Sequence, residues 1–142
     1  GESMGLSSTM RRASEMRHNE KIIQVGARGI GSGHTSDFED ALAWGVKFFT
    51  GSDVHRKGLQ PALEQIEAAD NVILCIDIDA MDPSIAPNPI GRAPEGLSYY
   101  QVLELIFETA KRARIAAVDF VEILPEMDIN GIGGLKVSRL YC

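Results

Sequence analysis

The chain has 142 residues, 44% of them hydrophobic, with 20 acidic against 14 basic side chains and a formal net charge of −6. That length and apolar content suit one packed domain spanning 1–142 and argue against a disordered chain, while the acidic balance, with basic residues scattered, argues against nucleic-acid or anionic-membrane partners. No apolar run nears the ~18 residues of a membrane span, no signal-peptide core is present, and two cysteines are too few for a disulfide framework, so the expected setting is cytoplasmic.

In chain order, residues 1–8 read as a loop and Thr9 to Met16 as a short helix capped by Ser8 or Thr9. Lys21 to Arg28 is a compact apolar strand that runs into Gly29-Ile30-Gly31-Ser32-Gly33. That loop has neither P-loop nor dinucleotide spacing, so a tight turn or a close backbone approach explains its glycines. Ser36 to Trp44 reads as a helix capped by Thr35 or Ser36 and ended by Gly45, and Val46 to Thr50 as a second strand. A helical stretch follows from Ser52 to Gly58, then an amphipathic helix over Gln60 to Ala69.

Val72 to Asp77 is the third strand, and its carboxyl end is the densest chemistry in the chain. A mostly β-branched apolar run stops in Asp77-Ile78-Asp79-Ala80-Met81-Asp82-Pro83, as a buried parallel strand does when it opens into a crevice. On a continued strand Asp77 and Asp79 share a face, roughly 7 Å apart along the backbone. Two carboxylates so placed repel each other and lose hydration unless a cation or donors attend them. Asp82-Pro83 suits a turn or a cap.

Pro83 to Gly96 reads as a stiff crevice wall containing Pro83, Pro87, Pro89 and Pro94. Leu97-Ser98 opens the clearest helix, Tyr99 to Arg114, with Val102, Leu103, Ile106, Phe107 and Ala110 expected inward. Ile115 to Pro125 is the fourth strand; Asp119 and Glu122 on it should face opposite sides, Glu122 nearer the ligand-binding end. Ile132 to Leu140 closes the series as a helix. The order β-α-β-α-β-α-β-α calls for a three-layer α/β/α fold on a mostly parallel sheet. Gly1 without an initiator methionine and the uncapped end at Tyr141-Cys142 read as part of a larger protein.

The string Asp77 to Pro83, with the proline-rich loop to Gly96-Leu97-Ser98, resembles the signature of the ureohydrolases: arginases, agmatinases, formiminoglutamases and guanidino-acid hydrolases. Val118-Asp119-Phe120-Val121-Glu122-Ile123-Leu124-Pro125 resembles that family's later motif, with Asp128 continuing it. Ile22 to Gly29 and Gly45 to Phe49 resemble further family segments in the same order, so the likeness covers nearly the whole chain as the carboxyl-terminal portion of an arginase-like fold. It implies manganese-dependent hydrolysis of a guanidino or formimino C–N bond, agmatinase-like by preference, at a binuclear centre. Asp77 and Asp79 resemble metal ligands, with Asp79 also the candidate catalytic residue. Glu122 resembles the acid that orients the substrate guanidinium. His34, in the loop after the first strand, is a substrate-contact candidate; His18 and His55 read as surface residues, and Cys75 as a buried core thiol.

Departures accompany the matches. The Gly-Gly-Asp-His and Asp-Ala-His-x-Asp segments that supply the family's other ligands are absent, so an incomplete metal site is expected. Leu6 occupies the best alignment to a proton-shuttling histidine, and Asn88 to Arg92 replaces a glycine-rich run. Because the absent strand belongs inside the family's sheet, an open strand edge and an apolar face should drive self-association into a homo-oligomer. The alternative reading is a non-catalytic, truncated or degenerate domain of the same descent. A phosphatase of the haloacid-dehalogenase type also carries Asp-x-Asp after an apolar strand, but Ala80-Met81-Asp82-Pro83 does not resemble its continuation.

Overall fold

Capping chemistry sets where the elements begin. In the computed structural model, which describes residues 5, 8–29, 33–68, 71–87 and 89–141, the order is α1 (Thr9–Ser14), β1 (Ile23–Ala27), α2 (Thr35–Trp44), β2 (Lys47–Thr50), α3 (Gly51–Lys57), α4 (Gln60–Leu63), β3 (Asn71–Asp77), α5 (Tyr99–Arg112), β4 (Arg114–Val121) and α6 (Ile132–Tyr141). Thr50 starts α3 by a reciprocal box: its Oγ1 accepts the Asp53 N–H at 3.1 Å, and the Asp53 carboxylate accepts the Thr50 N–H at 3.1 Å. Ser98 and Gln101 start α5 in the same way, at 3.1 and 2.8 Å. At α6 the Asp128 carboxylate takes the Gly133 and Gly134 N–H groups, each at 2.8 Å.

Several boundaries differ from the sequence expectation for local reasons. The cap of α2 is His34 rather than Thr35 or Ser36, because the Asp37 carboxylate accepts the His34 N–H at 2.9 Å. The helix expected over Gln60 to Ala69 is one turn long. Pro61 sits in its first turn, and Gln65 and Ile66 then bond three residues back, to Ala62 and Leu63, so the chain tightens and leaves the α path. β4 stops at Val121, since Glu122 takes a left-handed φ of 60° that no ladder accommodates. The inward stripe of α5 runs through Val102, Ile106 and Thr109; Phe107, 57% exposed, and Ala110 were expected inside and face outward.

The parallel sheet is divided. β1 pairs with β2 and β3 with β4, both in parallel, and no ladder joins the two pairs among the described residues. They meet instead through packing at the carboxyl ends. Gly26 breaks the β1 register with a left-handed φ of 89°, and a Cβ there would press on the Leu97 side chain at 3.1 Å.

The core lies on one side of β3. Leu74 and Ile76 point into it with Val54, Leu63, Met81 and Val102, and Ile78 is fully buried just beyond the strand end. The alternate residues Ile73, Cys75 and Asp77 are exposed on the other face. Cys75 is therefore not the core thiol expected from its apolar neighbours: period-2 alternation turns it outward, opposite Asp119 on β4. Leu6, Ala69, Asn88 and Cys142 lie outside the described residues. No helix among the described residues is long and apolar enough to cross a membrane.

Candidate functional site

The end of β3 bends sooner than its sequence implies. The strand closes at Asp77, and Ile78–Ala80 forms a single 3-10 turn, so Asp77 and Asp79 are not successive same-face residues of one strand. The Asp77 carboxylate caps this turn, accepting the Asp79 N–H at 2.8 Å. Ile78 drops into the core and carries the turn with it, which leaves Asp77 exposed and Asp79 half-buried. The acids meet by way of a turn rather than a pleat.

Asp79 is the electrostatically stressed member. Burial raises its carboxyl above the ordinary value, and the charges of Asp77 and Glu122 push it further in that direction; the Gly91 backbone N–H and the Arg28 guanidinium pull it back. Its Oδ1 is buried and accepts no hydrogen bond. An unpaired carboxylate oxygen in the field of two further acids is an arrangement that a cation would relieve. The donors present, hard carboxylate oxygens, match manganese in kind. They fall short in number: among the described residues no three His, Cys, Asp or Glu side chains cluster as a metal would require.

Glu122 reaches the same neighbourhood from β4. Its left-handed backbone ends the strand, and the charge of its half-buried side chain acts on Asp79. Asp119 lies on the outward face instead, 3.7 Å from the Cys75 thiol. His34 stands apart from the carboxylates in the sequence of elements, exposed at the start of α2, while His18 and His55 are exposed as expected. Asp82 serves as a turn: its carboxylate accepts the Ser84 N–H at 3.0 Å, the Ser84 hydroxyl at 2.5 Å and the Gly96 N–H at 3.2 Å. These bonds hold its carboxyl below the ordinary range.

Two contributors escaped the sequence reading. Arg28 directly follows β1 and donates to loop carbonyls beside the acids, and Gly91 lies so close to Asp79 that any Cβ would collide with the carboxylate. An arginine closing an apolar strand just before a glycine turn was the only available signal for the first.

The model of the arginase family matches residues 1–140. The chain belongs to the arginase family. It is 35% identical over 105 residues to the N(1)-aminopropylagmatine ureohydrolase of Thermus thermophilus, which covers 73% of this chain and 34% of that enzyme. Among solved structures it resembles the agmatine ureohydrolase of Thermoplasma volcanium, with a TM-score of 0.79 and 28% identity over 93% of this chain and 43% of that one. The arginase of Medicago truncatula gives 0.74 and 28%, covering 92% and 40%. The architecture is thus a partial arginase-like α/β fold, and the chain spans about a third of the length of the Thermus relative.

Proposed function

We propose that this arginase-family chain carries the carboxylate side of a manganese centre, and that the whole protein hydrolyses a guanidino C–N bond in the manner of an agmatinase. The observation that carries the reading is the buried, unpartnered Oδ1 of Asp79 amid the charges of Asp77 and Glu122. Asp77 and Asp79 would hold the metal. Bound manganese supplies a Lewis acid and makes water nucleophilic at neutral pH. Glu122 is assigned to the substrate: a carboxylate pairs with a guanidinium through charge-assisted, forked hydrogen bonds, and its fixed left-handed backbone limits where that pair can form. His34, at the exposed start of α2, remains a candidate for contacting the rest of the substrate. The ureohydrolase name of the Thermus relative supports the guanidino class over the formimino class.

A second reading, a non-catalytic domain, is favoured by the lack of a third ligand residue near the pair among the described residues. A cytoplasmic location and self-association belong to the proposal as well; the latter rests on Ile73, 62% exposed on the outward sheet face, and on edges of β1 and β3 that pair with no strand among the described residues. The deciding experiment is a manganese titration of the 142-residue chain with urea release measured on agmatine, arginine and guanidino acids. Turnover that disappears in Asp77→Ala supports the enzymatic reading for this chain. Metal-independent silence on every substrate supports the non-catalytic one.

A further inference from the structure

The proline-rich loop has a supply problem. Pro83, Pro87, Pro89 and Pro94 bring carbonyl acceptors but no N–H donors, so the segment has more carbonyls to satisfy than its own backbone can supply with N–H groups. Its base is closed by backbone bonds, Asp82 N–H to Leu97 O at 3.0 Å and Leu97 N–H to Ala80 O at 2.8 Å. Within the loop Arg92 returns its Nε to Pro89 O at 2.9 Å and its backbone N–H to Ile90 O at 3.0 Å, and from outside it Lys136 Nζ donates to Ile85 O while His55 Nε2 lies 3.1 Å from Glu95 O, each on a single limb.

Arg28 spans the two limbs. Its Nη2 donates to Met81 O at 3.1 Å, two residues beyond Asp79, and to Ala93 O at 2.8 Å on the far limb; its Nε donates to Ala93 O at 3.2 Å and Pro94 O at 3.1 Å. A planar fork of fixed donors can join both limbs at once, which a lysine ammonium on its flexible stem cannot do with the same geometry. Gly91 lies two residues before that clamp, pressed against the Asp79 carboxylate without room for a side chain.

We propose that Arg28 is a positioning residue for Asp79: by tying the Met81 limb to the Ala93–Pro94 limb it seats Gly91 on the carboxylate and fixes where that group points. The functional consequence rests on the metal-ligand reading above, whereas the clamp stands on the hydrogen bonds alone. Groups that orient a ligand from behind commonly change metal affinity by ~10–100-fold when removed.

The test uses the 142-residue chain as wild type, Arg28→Ala, Arg28→Lys and Gly91→Ala, with amide hydrogen exchange, the side-chain carboxyl carbon resonance of Asp79 at fixed neutral pH, and Mn2+-induced broadening of Asp77 and Asp79. In Arg28→Ala the amides of 84–86 and 90–93 should exchange faster by about tenfold or more while β3 and β4 hold within about twofold. The Asp79 resonance should move toward that of an exposed aspartate, and Mn2+ should bind at least about tenfold more weakly. Arg28→Lys should recover only part of each effect. An unchanged loop and Asp79 resonance in Arg28→Ala, equal acceleration of every segment, or full recovery by lysine would each overturn the proposal. Should Arg28→Ala not fold, Arg28→Lys and Gly91→Ala decide: the alanine at 91 must displace the Asp79 resonance with Arg28 intact, and an unmoved resonance overturns the seating. A wild-type chain whose acids ignore Mn2+ would sink the ligand reading instead, with the exchange data still judging the clamp.

Discussion

The two faces of β3 come from one apolar run and meet opposite fates. Leu74, Ile76 and the following Ile78 pack beneath α5 and α6 into the core, whereas Ile73, Cys75 and Asp77 stand on the uncovered side next to Ala117, Asp119 and Val121 of β4. A strand destined for one-sided burial ordinarily alternates apolar with polar residues; this one is apolar on both sides until its acids, the pattern of a sheet covered on both faces. The difference teaches that the sequence of β3 has the pattern of two packing layers, of which the described residues supply one over β3 and β4. The covered face supplies core burial, and the bare face carries the proposed association and the exposed Cys75 thiol.

The largest expected effect is on the covered face. Ile76→Ala removes a core side chain that is 8% exposed and should destabilise the chain by about 2–5 kcal/mol in urea unfolding. The same truncation at Ile73, 62% exposed, should change stability by no more than about 0.5 kcal/mol. Comparable losses at both positions would show that something covers Ile73 in solution. Next in size is the effect of charge on the bare face. Ile73→Lys should shift the chain toward monomer in sedimentation at a concentration where wild type associates, because a charge on an exposed apolar face opposes its pairing. If the variant and wild type sediment alike, the association surface lies elsewhere.

Much of the fold was legible in the sequence because its signals are local. The Ser98 start of α5, Gly45 after α2 and the apolar strand cores report on neighbours one turn away, and the structure places those elements accordingly, while the helix expected from Ser52 starts at Gly51 under a Thr50 cap. Where the reading slipped, a tertiary or competing contact decided. The exposure of Phe107 and the outward turn of Cys75 depend on which faces other elements cover, a fact that residue pattern does not contain. The candidate site divides along the same line. The three acids were visible as residue types at the ends of strands. The 3-10 turn that brings Asp79 off the strand, the left-handed backbone of Glu122 and the reach of Arg28 across more than sixty residues to Ala93 are products of folding, with no periodic trace.

The smallest effect, and the sharpest probe of the bare face, concerns Cys75. The thiol is exposed, yet desolvation raises its pKa above the ordinary 9.0 and the Asp119 carboxylate, across the ladder at 3.7 Å, pushes it in the same direction. The thiolate is the reacting species, so a raised pKa means less of it at neutral pH. Alkylation of Cys75 by iodoacetamide, followed by peptide mass mapping, should therefore be slower at pH 7 than that of a cysteine in an unfolded peptide, and should gain rate as pH rises through the elevated value. Asp119→Asn removes a neighbouring negative charge that disfavours ionisation. It should lower the thiol pKa and speed alkylation at pH 7 by about two- to tenfold, a change within about one pKa unit. A rate unaffected by the substitution would mean that the two side chains do not face each other, and that the register partner of Cys75 leaves its chemistry untouched.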